Sequence, residues 1–461
     1  MKKLLPTALL LICMHWTLFA RPAFSAPGPF TTIVPRIGRI HPTDTLAPIL
    51  TTLVPAPSPN TPVKSPNTSM TSPNTPVMSP NTPVTIRVFN NSSSRGFPNT
   101  ILEWELLANG TVRQKGSIGQ LLIAPQHSAL FRLPVKIPPT GEELFLHIRY
   151  RTRQQNPPLP GSHTIAEEQL LLRAWSGNDL SIRSAGELSF KDEDGFFTIS
   201  SPAILLRFNK QTGWLQHYEV KGFRLLEDTL GLRPSFSQDP APGNNIPGSV
   251  MAPVSDTLSE PVSDTSSAPW QEATRSPRLQ LFSTSTGSTI VIVRTEYTLP
   301  ATSCQLHLGY TINAAGEMQI AQSMDADSTR KGWPLPRFGM QWVLPPGPDS
   351  ITAYGHPPQG TLPASIYRQT IDGQTAAAMP VREPERSPAT GIRWWRLTGK
   401  DGKGLLITAD SSLLTISARH YPGSDPGGGS PMQLNIDYPP FPLPYGNYHY
   451  SYKVTPVIPG P

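Results

Sequence analysis

Apolar and polar residues alternate along much of the chain with the period of two that is typical of β-strands. The clearest case covers residues 197–226, where a polar loop at 209–213 and a tight turn at 221–222 divide the alternating runs. The inward positions of the first run are Ile204, Leu206 and Phe208. Three successive strands joined by such turns predict a β-meander, the start of an antiparallel sheet.

Short alternating runs also precede this stretch. Residues 84–175 contain about seven of them, a number typical of an immunoglobulin-like sandwich. Asn109-Gly110 is a strong hairpin signal, and Trp104 is predicted to be a core residue. Six of the strands predicted here span residues 85–89, 102–106, 121–124, 129–133, 144–148 and 168–172.

After the meander, alternating runs continue almost to the end of the chain, so residues 187–457 predict one large antiparallel β domain. Residues 233–278 are rich in Pro, Ser and Asp and predict a long loop within it. The further strands predicted are residues 279–282, 289–297, 305–312, 317–321, 333–344, 392–397, 404–409, 413–418 and 447–454.

Composition supports an all-β fold. The chain has 461 residues, of which 55 are proline, and this content disfavours long helices. Lysine and arginine total 38 against 32 acidic residues, so the positive excess is slight. No run of basic residues with interleaved aromatic residues occurs, and nucleic acid is therefore excluded as a partner.

The N-terminus predicts export. Lys2 and Lys3 precede an apolar run at residues 4–19, and small residues at 23–25 offer a cleavage site. Residues 1–25 are therefore predicted to be a signal peptide, and the protein to be periplasmic, secreted or on the cell surface. The alternative is an uncleaved membrane anchor.

Residues 26–83 predict a disordered linker. They are rich in proline and contain a seven-residue repeat of the type Ser-Pro-Asn-Thr-Pro-Val, which begins at Ser58. Such a segment buries too little apolar surface to offset the entropy lost on ordering. The alternative is an extended polyproline-II spacer that holds the folded part away from a surface.

The sequence contains few motifs that indicate a catalytic, metal or cofactor site. The histidines are scattered without the spacing of a metal site, and phosphate-binding or Gly-x-Ser-x-Gly motifs are missing, so no metal or cofactor is predicted. Trp394 and Trp395 are adjacent in a predicted strand and must face opposite sides of the sheet. One is expected in the core, and the other is a candidate sugar contact.

Several motifs together resemble the C-terminal part of β-galactosidases of glycoside hydrolase family 2. They are the segments Phe-Asn-Lys-Gln-Thr-Gly at 208–213, Leu-Pro-Arg-Phe-Gly at 335–339, Gly-Ile-Arg-Trp-Trp at 391–395 and Leu-Asn-Ile-Asp at 434–437. The resemblance covers residues 84 to about 457. It implies an immunoglobulin-like sandwich followed by a small-chain domain, a large antiparallel β-supersandwich.

The catalytic machinery of that family should lie elsewhere. The resemblance implies two catalytic Glu residues on a (β/α)₈ barrel ahead of the sandwich, and such a barrel needs about 250 residues. Residues 27–83 are too few and too rich in proline for it. Retaining hydrolysis needs two carboxylates about 5 Å apart, and we find no such pair. The chain alone is therefore expected to be inactive.

The resemblance also suggests positions for carbohydrate contacts. The family's Tyr-Gly-Arg-Gly-Pro-x-Glu motif appears at 354–360 without its Arg and Glu, and the loop at 438–447 lacks the tryptophan expected there. Aromatic stacking must then come from other residues. The candidate contacts are Tyr354, His356, Arg393, Trp395, Tyr438 and Tyr445.

These observations predict an exported β-galactosidase-like accessory or small-subunit-like protein. It would dock on a separately encoded catalytic barrel, or bind a galactoside or polysaccharide. The alternative is a non-catalytic surface protein, structural or adhesive, carried on the Pro-rich stalk. An enzyme active by itself would need an acid/base pair that the sequence does not reveal.

Overall fold

The structure is a computed structural model. It describes residues 49–54, 84–152, 163–237, 268–358, 364–370, 388–421 and 429–459, except residues 95, 98, 229, 328, 330, 331, 440 and 441. The predicted signal peptide and the seven-residue repeats lie outside the described residues.

The chain is built almost entirely from strands. The first seven are β1 (Ile49–Val54), β2 (Val84–Asn90), β3 (Thr100–Ala108), β4 (Thr111–Ile118), β5 (Ser128–Leu133), β6 (Leu144–Thr152) and β7 (Thr164–Arg173). The next six are β8 (Ser189–Glu193), β9 (Phe196–Ser200), β10 (Ile204–Asn209), β11 (Leu215–Val220), β12 (Phe223–Arg224) and β13 (Leu232–Ser235). One helix, α1 (Ala268–Arg275), follows within the described part. The remaining strands are β14 (Arg278–Thr286), β15 (Ile290–Leu299), β16 (Cys304–Asn313), β17 (Met318–Ala326), β18 (Gly339–Leu344), β19 (Ser350–His356), β20 (Ser365–Thr370), β21 (Ala389–Thr398), β22 (Gly404–Ala409), β23 (Leu414–His420), β24 (Met432–Asp437) and β25 (Tyr448–Val457).

The first seven strands form a sandwich of two antiparallel sheets, with the orders β1-β2-β5 and β4-β3-β6-β7. Alternate residues of these strands face inward and make one buried cluster that includes Trp104 and Tyr150. The predicted immunoglobulin-like sandwich and the core position of Trp104 are thus confirmed. The hairpin at Asn109-Gly110 is also present, and both residues have the positive φ that such a turn requires.

Two expectations about this sandwich need correction. Strand β1 lies within residues 26–83, which were expected to be disordered. It pairs along its length with β2, buries Ile49 completely, and the amide of Thr51 donates to the carboxylate of Glu168. Residues 121–124, predicted as a strand, form an irregular segment whose Leu121 and Ile123 still contribute to the core.

The second domain joins a five-stranded sheet, β12-β11-β10-β9-β8, to a sheet of 13 strands. The main path of the larger sheet is β13-β18-β24-β23-β21-β22-β25-β17-β16-β15-β14, and β19 adds to β21 and carries β20. Inward-facing residues of both sheets make one core cluster. The all-β prediction and the predicted supersandwich are confirmed.

The three-stranded meander predicted within residues 197–226 is confirmed as strands β10 to β12, and β9, which precedes it, pairs with β10. Its turns use the predicted residues, since φ is +74° at Gly213, +49° at Lys221 and +75° at Gly222. The third strand is shorter than predicted, because β12 contains only Phe223–Arg224.

The long loop predicted at residues 233–278 is partly ordered. Strand β13 extends into it and pairs with β18, and helix α1 lies near its end. The helix buries Trp270 and Ala273, one turn apart on the same face, against the main core. The strand predicted over 333–344 begins only at Gly339, because Pro334 and Pro336 cannot donate backbone hydrogen bonds.

No helix in the described part of the chain is long and apolar enough to cross a membrane.

Candidate functional site

A buried ion pair lies between the sandwich and the large domain. The carboxylate of Glu143, just before β6, is 2 % exposed and accepts two hydrogen bonds from the guanidinium of Arg393 on β21. The hydroxyl of Tyr354 on β19 donates a third, at 2.5 Å. A buried carboxylate is stable only when it is paired and hydrogen-bonded in this way. We call Glu143, Tyr354 and Arg393 the interdomain lock.

Neighbouring groups position the interdomain lock. The Asn109 side chain accepts a hydrogen bond from the amide of Glu143, so the β3–β4 hairpin fixes the acid. Gly110 of the same turn lies against the Tyr354 ring, where a Cβ atom would approach ring carbons to 2.6 Å. The Arg393 guanidinium stands 5.0 Å from the centroid of that ring. The lock is therefore a tightly packed structural contact.

A break in the alternation of β21 allows Arg393 to face the sandwich. Gly391 has φ +58°, and the pairing of β21 with β19 shifts register between Tyr354 and His356. Both Ile392 and Arg393 are buried as a result, although they are adjacent. His356 is half-buried beside Gly391, where a Cβ atom would meet its ring at 3.0 Å. Three predicted sugar contacts, Tyr354, His356 and Arg393, thus converge near this interface.

Two further hydrogen-bonded connections join the domains. Gln169 on β7 donates to the carbonyl of Ala364 and accepts from the amide of the same residue, both at 3.0 Å. The Asn178 amide donates to the carbonyls of Arg393 and Ala409. The sandwich and the segment that follows it are therefore hydrogen-bonded to the large domain at several points.

Trp394 and Trp395 face opposite sides of β21, as predicted. Trp395 is 2 % exposed and belongs to the main core, so neither face of its ring is free for a sugar. Trp394 is partly exposed on the outer face of the sheet. The accessible tryptophan is therefore Trp394. The bulge at Gly391 sets which alternate residues of β21 face the core.

Tyr438 and Tyr445 lie at one edge of the large domain, in the connection between β24 and β25. The Tyr445 hydroxyl donates to the carbonyl of Thr302, and Tyr438 packs against Tyr448 with ring centroids 6.2 Å apart. An isolated bridge between Leu335 and Leu443 ties this connection to the segment before β18.

The same bridge brings Trp333 to this edge. Trp333 is 46 % exposed, while its carbonyl accepts a hydrogen bond from the indole of Trp270. Gly332 lies against the Tyr445 ring, at a distance that leaves no room for a side chain. We call Trp333, Tyr438, Tyr445 and Tyr448 the aromatic rim. Trp333 is not among the sugar contacts predicted from the sequence, although it stands two residues before the Leu-Pro-Arg-Phe-Gly motif.

The nearest acid in sequence to the aromatic rim is Asp437, at the end of β24. It is fully buried, and burial raises the pKa of Asp437 to about 6 although Arg337, 3.3 Å away, favours the charged form. A carboxyl group enclosed in this way cannot reach a sugar. Among the residues that the structure describes, no group of three or more His, Cys, Asp or Glu side chains could hold a metal ion.

Comparisons with known proteins agree with the two-domain architecture. Residues 86–173 match the family described as β-galactosidase, domain 4, and residues 200–426 match the family described as β-galactosidase small chain. A β-galactosidase of Lactobacillus delbrueckii subsp. bulgaricus is 23 % identical over 340 residues, which cover 72 % of this chain and 31 % of that protein. A β-galactosidase of Priestia megaterium (strain DSM 319 / IMG 1521) is 22 % identical over 273 residues, 58 % of this chain and 24 % of that protein.

The chain thus aligns with less than a third of either curated relative. Among solved structures, galactose 1-epimerase from Lactobacillus acidophilus NCFM superposes with a TM-score of 0.36 at 10 % identity, over 59 % of this chain and 98 % of that one.

Proposed function

Because this chain belongs to the β-galactosidases and corresponds to their C-terminal region, we propose that it is an accessory, small-subunit-like protein that docks on a separately encoded catalytic barrel. In this proposal the partner supplies the catalytic carboxylates, and this chain completes the wall of the active site. The reaction assisted is the hydrolysis of β-galactosides.

The observation that carries this proposal is the aromatic rim. Trp333 and Tyr445 lie beside the β24–β25 connection, where the family resemblance places a tryptophan-bearing loop that closes over the sugar. Exposed aromatic rings bind sugars by stacking on their C–H faces. Trp333 is well suited to this role because nearly half of its surface is exposed while its backbone is held in place.

The interdomain lock supports the docking mode. A partner that contacts both domains gains most when their relative arrangement is already fixed, because less conformational entropy is lost on binding. Glu143, Arg393 and Tyr354 would provide that preorganisation.

The docking proposal can be tested by reconstitution. The purified full chain is expected to release no product from an aryl β-galactoside. It should restore turnover to the Lactobacillus delbrueckii β-galactosidase truncated before the region that aligns with this chain. That enzyme's own C-terminal region is the positive control. If the control restores activity and this chain does not, or if this chain alone turns over the substrate, the proposal fails.

Two variants test the aromatic rim in the same assay. Trp333→Ala should lower the restored kcat/KM about five- to tenfold, since loss of one stacking ring removes on the order of 1–1.5 kcal/mol. Leu281→Ala removes a side chain of similar exposure (44 %) on the edge strand β14 and should leave the restored activity unchanged. Equal losses from both variants would contradict a specific role for Trp333.

We also propose that the protein is exported. The charged start, apolar run and small residues of the first 25 residues support this. N-terminal sequencing of the protein from its native host should find a start near residue 26. An intact Met1 in a membrane fraction would instead indicate a retained anchor.

A further inference from the structure

An open groove of about 710 Å³ lies on the outer face of the large sheet, across β20, β19, β21 and β22. The partly exposed indole of Trp394 forms part of its floor. The side chain of Asn178, from the segment that joins the two domains, lies at one side. The groove is distinct from the aromatic rim and shares no residue with it.

The strand register places two arginines on the face that forms this groove. Thr352 on β19 is paired with Arg368 on β20 and with Arg396 on β21. Directly opposed residues share one face of a sheet, and neighbouring strands are about 4.8 Å apart. The Cα atoms of the two arginines, two strand spacings from each other, are therefore about 10 Å apart. Trp394 is two residues from Arg396 and therefore projects from the same face.

Both guanidinium groups are available for a ligand. Arg368 and Arg396 are exposed, and neither forms an ion pair or hydrogen bond with any described residue. The pattern differs from that of Arg149 and Arg393, each of which is paired with a glutamate. Two positive charges that have no counter-charge among the described residues lie beside an aromatic face, and they make this part of the sheet complementary to an anion that also has an apolar surface.

The hydroxyl groups around Trp394 add hydrogen-bonding partners to the groove. Ser350, Thr352 and Thr408 also line the groove, and each can donate to or accept from a sugar hydroxyl. An indole stacks on the C–H face of a pyranose ring, while a guanidinium forms bidentate hydrogen bonds with carboxylate or sulfate. A phosphate or metabolite anion would use the arginines but not the row of aromatic and hydroxyl groups.

We propose that this groove, formed by Arg368, Arg396, Trp394 and the flanking hydroxyls, binds a saccharide that carries carboxylate or sulfate groups. The arginines are far enough apart to contact different charged groups along one chain. The protein would thereby attach to an acidic polysaccharide through the large sheet and keep the aromatic rim free. This role goes beyond the proposed function and does not depend on it.

The test uses the full-length chain and three oligosaccharide probes of similar length, with binding followed by calorimetry and tryptophan fluorescence. Oligogalacturonate carries carboxylates, sulfated galacto-oligosaccharide carries sulfates, and β-1,4-galacto-oligosaccharide is neutral. At least one anionic probe should bind at least tenfold more tightly than the neutral one, with an affinity that falls as salt rises. The preferred anionic probe identifies the acidic group.

Matched variants separate a specific site from general charge attraction. The double variant Arg368→Gln/Arg396→Gln should weaken binding of the anionic probe at least tenfold, and Trp394→Ala should abolish the fluorescence change. The control Arg132→Gln/Arg278→Gln removes the same charge from exposed arginines on β5 and β14 and should retain the affinity. Equal weakening by the two double variants, or equal affinity for neutral and anionic probes, would overturn the proposal.

The reconstitution assay keeps the two proposals apart. Arg368→Gln/Arg396→Gln should leave restored galactosidase turnover unchanged, because the groove shares no residue with the aromatic rim. Loss of that turnover together with saccharide binding would contradict a separate site.

Discussion

Glu143 illustrates how the environment of one residue decides its role. Its carboxylate is removed from water and accepts hydrogen bonds from Arg393 and Tyr354, so its acceptor sites are used for structure. Breaking such a buried pair leaves an uncompensated charge, whereas replacing both partners by apolar groups is often tolerated. The interdomain lock is therefore best tested by removing its members singly and together.

We expect Arg393→Met to lower the free energy of unfolding by about 3–5 kcal/mol, because Glu143 then remains buried without its counter-charge. The double variant Glu143→Leu/Arg393→Met should lower the free energy of unfolding by less than the sum of the losses measured for Glu143→Leu alone and Arg393→Met alone. Urea unfolding followed by fluorescence measures each value. Arg149→Met, at a partly exposed ion pair with Glu105, should cost no more than about 1 kcal/mol. Simple additivity at the lock would show that its members are not coupled.

Asp437 predicts a pH dependence with a defined sign. Burial raises the pKa of Asp437 to about 6, above its value of about 3.9 in an unfolded chain. The folded state therefore binds the proton more tightly, and this stabilisation is present below pH 4 and is lost as the pH rises through 6. The shift of about two units corresponds to roughly 3 kcal/mol.

The comparison of wild type with Asp437→Asn isolates this effect. The free energy of unfolding of the wild type, minus that of the variant, should fall by roughly 2 kcal/mol between pH 4 and pH 7, since the unfolded carboxyl is already about half ionised at pH 4. Parallel urea titrations across this range provide the measurement. A constant difference would mean that Asp437 does not titrate with a raised pKa.

At the scale of elements, local sequence patterns predicted where strands occur more reliably than which side of the sheet each side chain faces. The meander and the β3–β4 hairpin follow from alternation and from turn residues that adopt positive φ, which are local properties. Strands β19 and β20 were not predicted, although they pair with each other and β19 also pairs with β21. The face that Trp394 presents depends on the bulge at Gly391, and a bulge is set by packing across strands.

The Asn109-Gly110 turn gives a prediction at this scale. Gly110 and Gly222 have nearly the same φ, +77° and +75°, but only Gly110 touches another element, the Tyr354 ring. Gly222→Ala should cost about 1–2 kcal/mol from backbone strain alone. Gly110→Ala should cost about 1–3 kcal/mol more, because the added methyl group pushes the hairpin away from β19. Chemical denaturation of the two variants is the measurement, and equal losses would contradict the close contact.

At the scale of the whole molecule, two hydrophobic cores are linked by a polar interface. The sandwich core and the large core are separate clusters, and the contacts between the domains include the interdomain lock and the hydrogen bonds of Gln169 and Asn178. Polar links of this kind couple domains only while their geometry is intact. Loss of the interdomain lock should therefore lower the local stability of the whole sandwich rather than of one residue.

Hydrogen exchange can detect this coupling. In the wild type we expect the buried amides of β3 and β6 to exchange as slowly as those of β15 and β16. In Arg393→Met the β3 and β6 amides should exchange at least tenfold faster, and the β15 and β16 amides should change less. The sandwich has the smaller core, so it depends more on the stabilising contact that the interdomain lock provides. Arg149→Met serves as the control. Equal acceleration in both domains would mean that the lock does not act between them.

The sequence by itself determined the all-β class, the two-domain order, most of the strands and the family, because alternation, turn residues and short motifs are local signals. Only the tertiary structure decided which residues are accessible. It placed Tyr354, Arg393 and Trp395 in buried positions, joined Trp333 to the β24–β25 connection, and aligned Arg368 with Arg396 across β19. Such neighbours are brought together by strand pairing between distant segments, and no local pattern records which strands will pair.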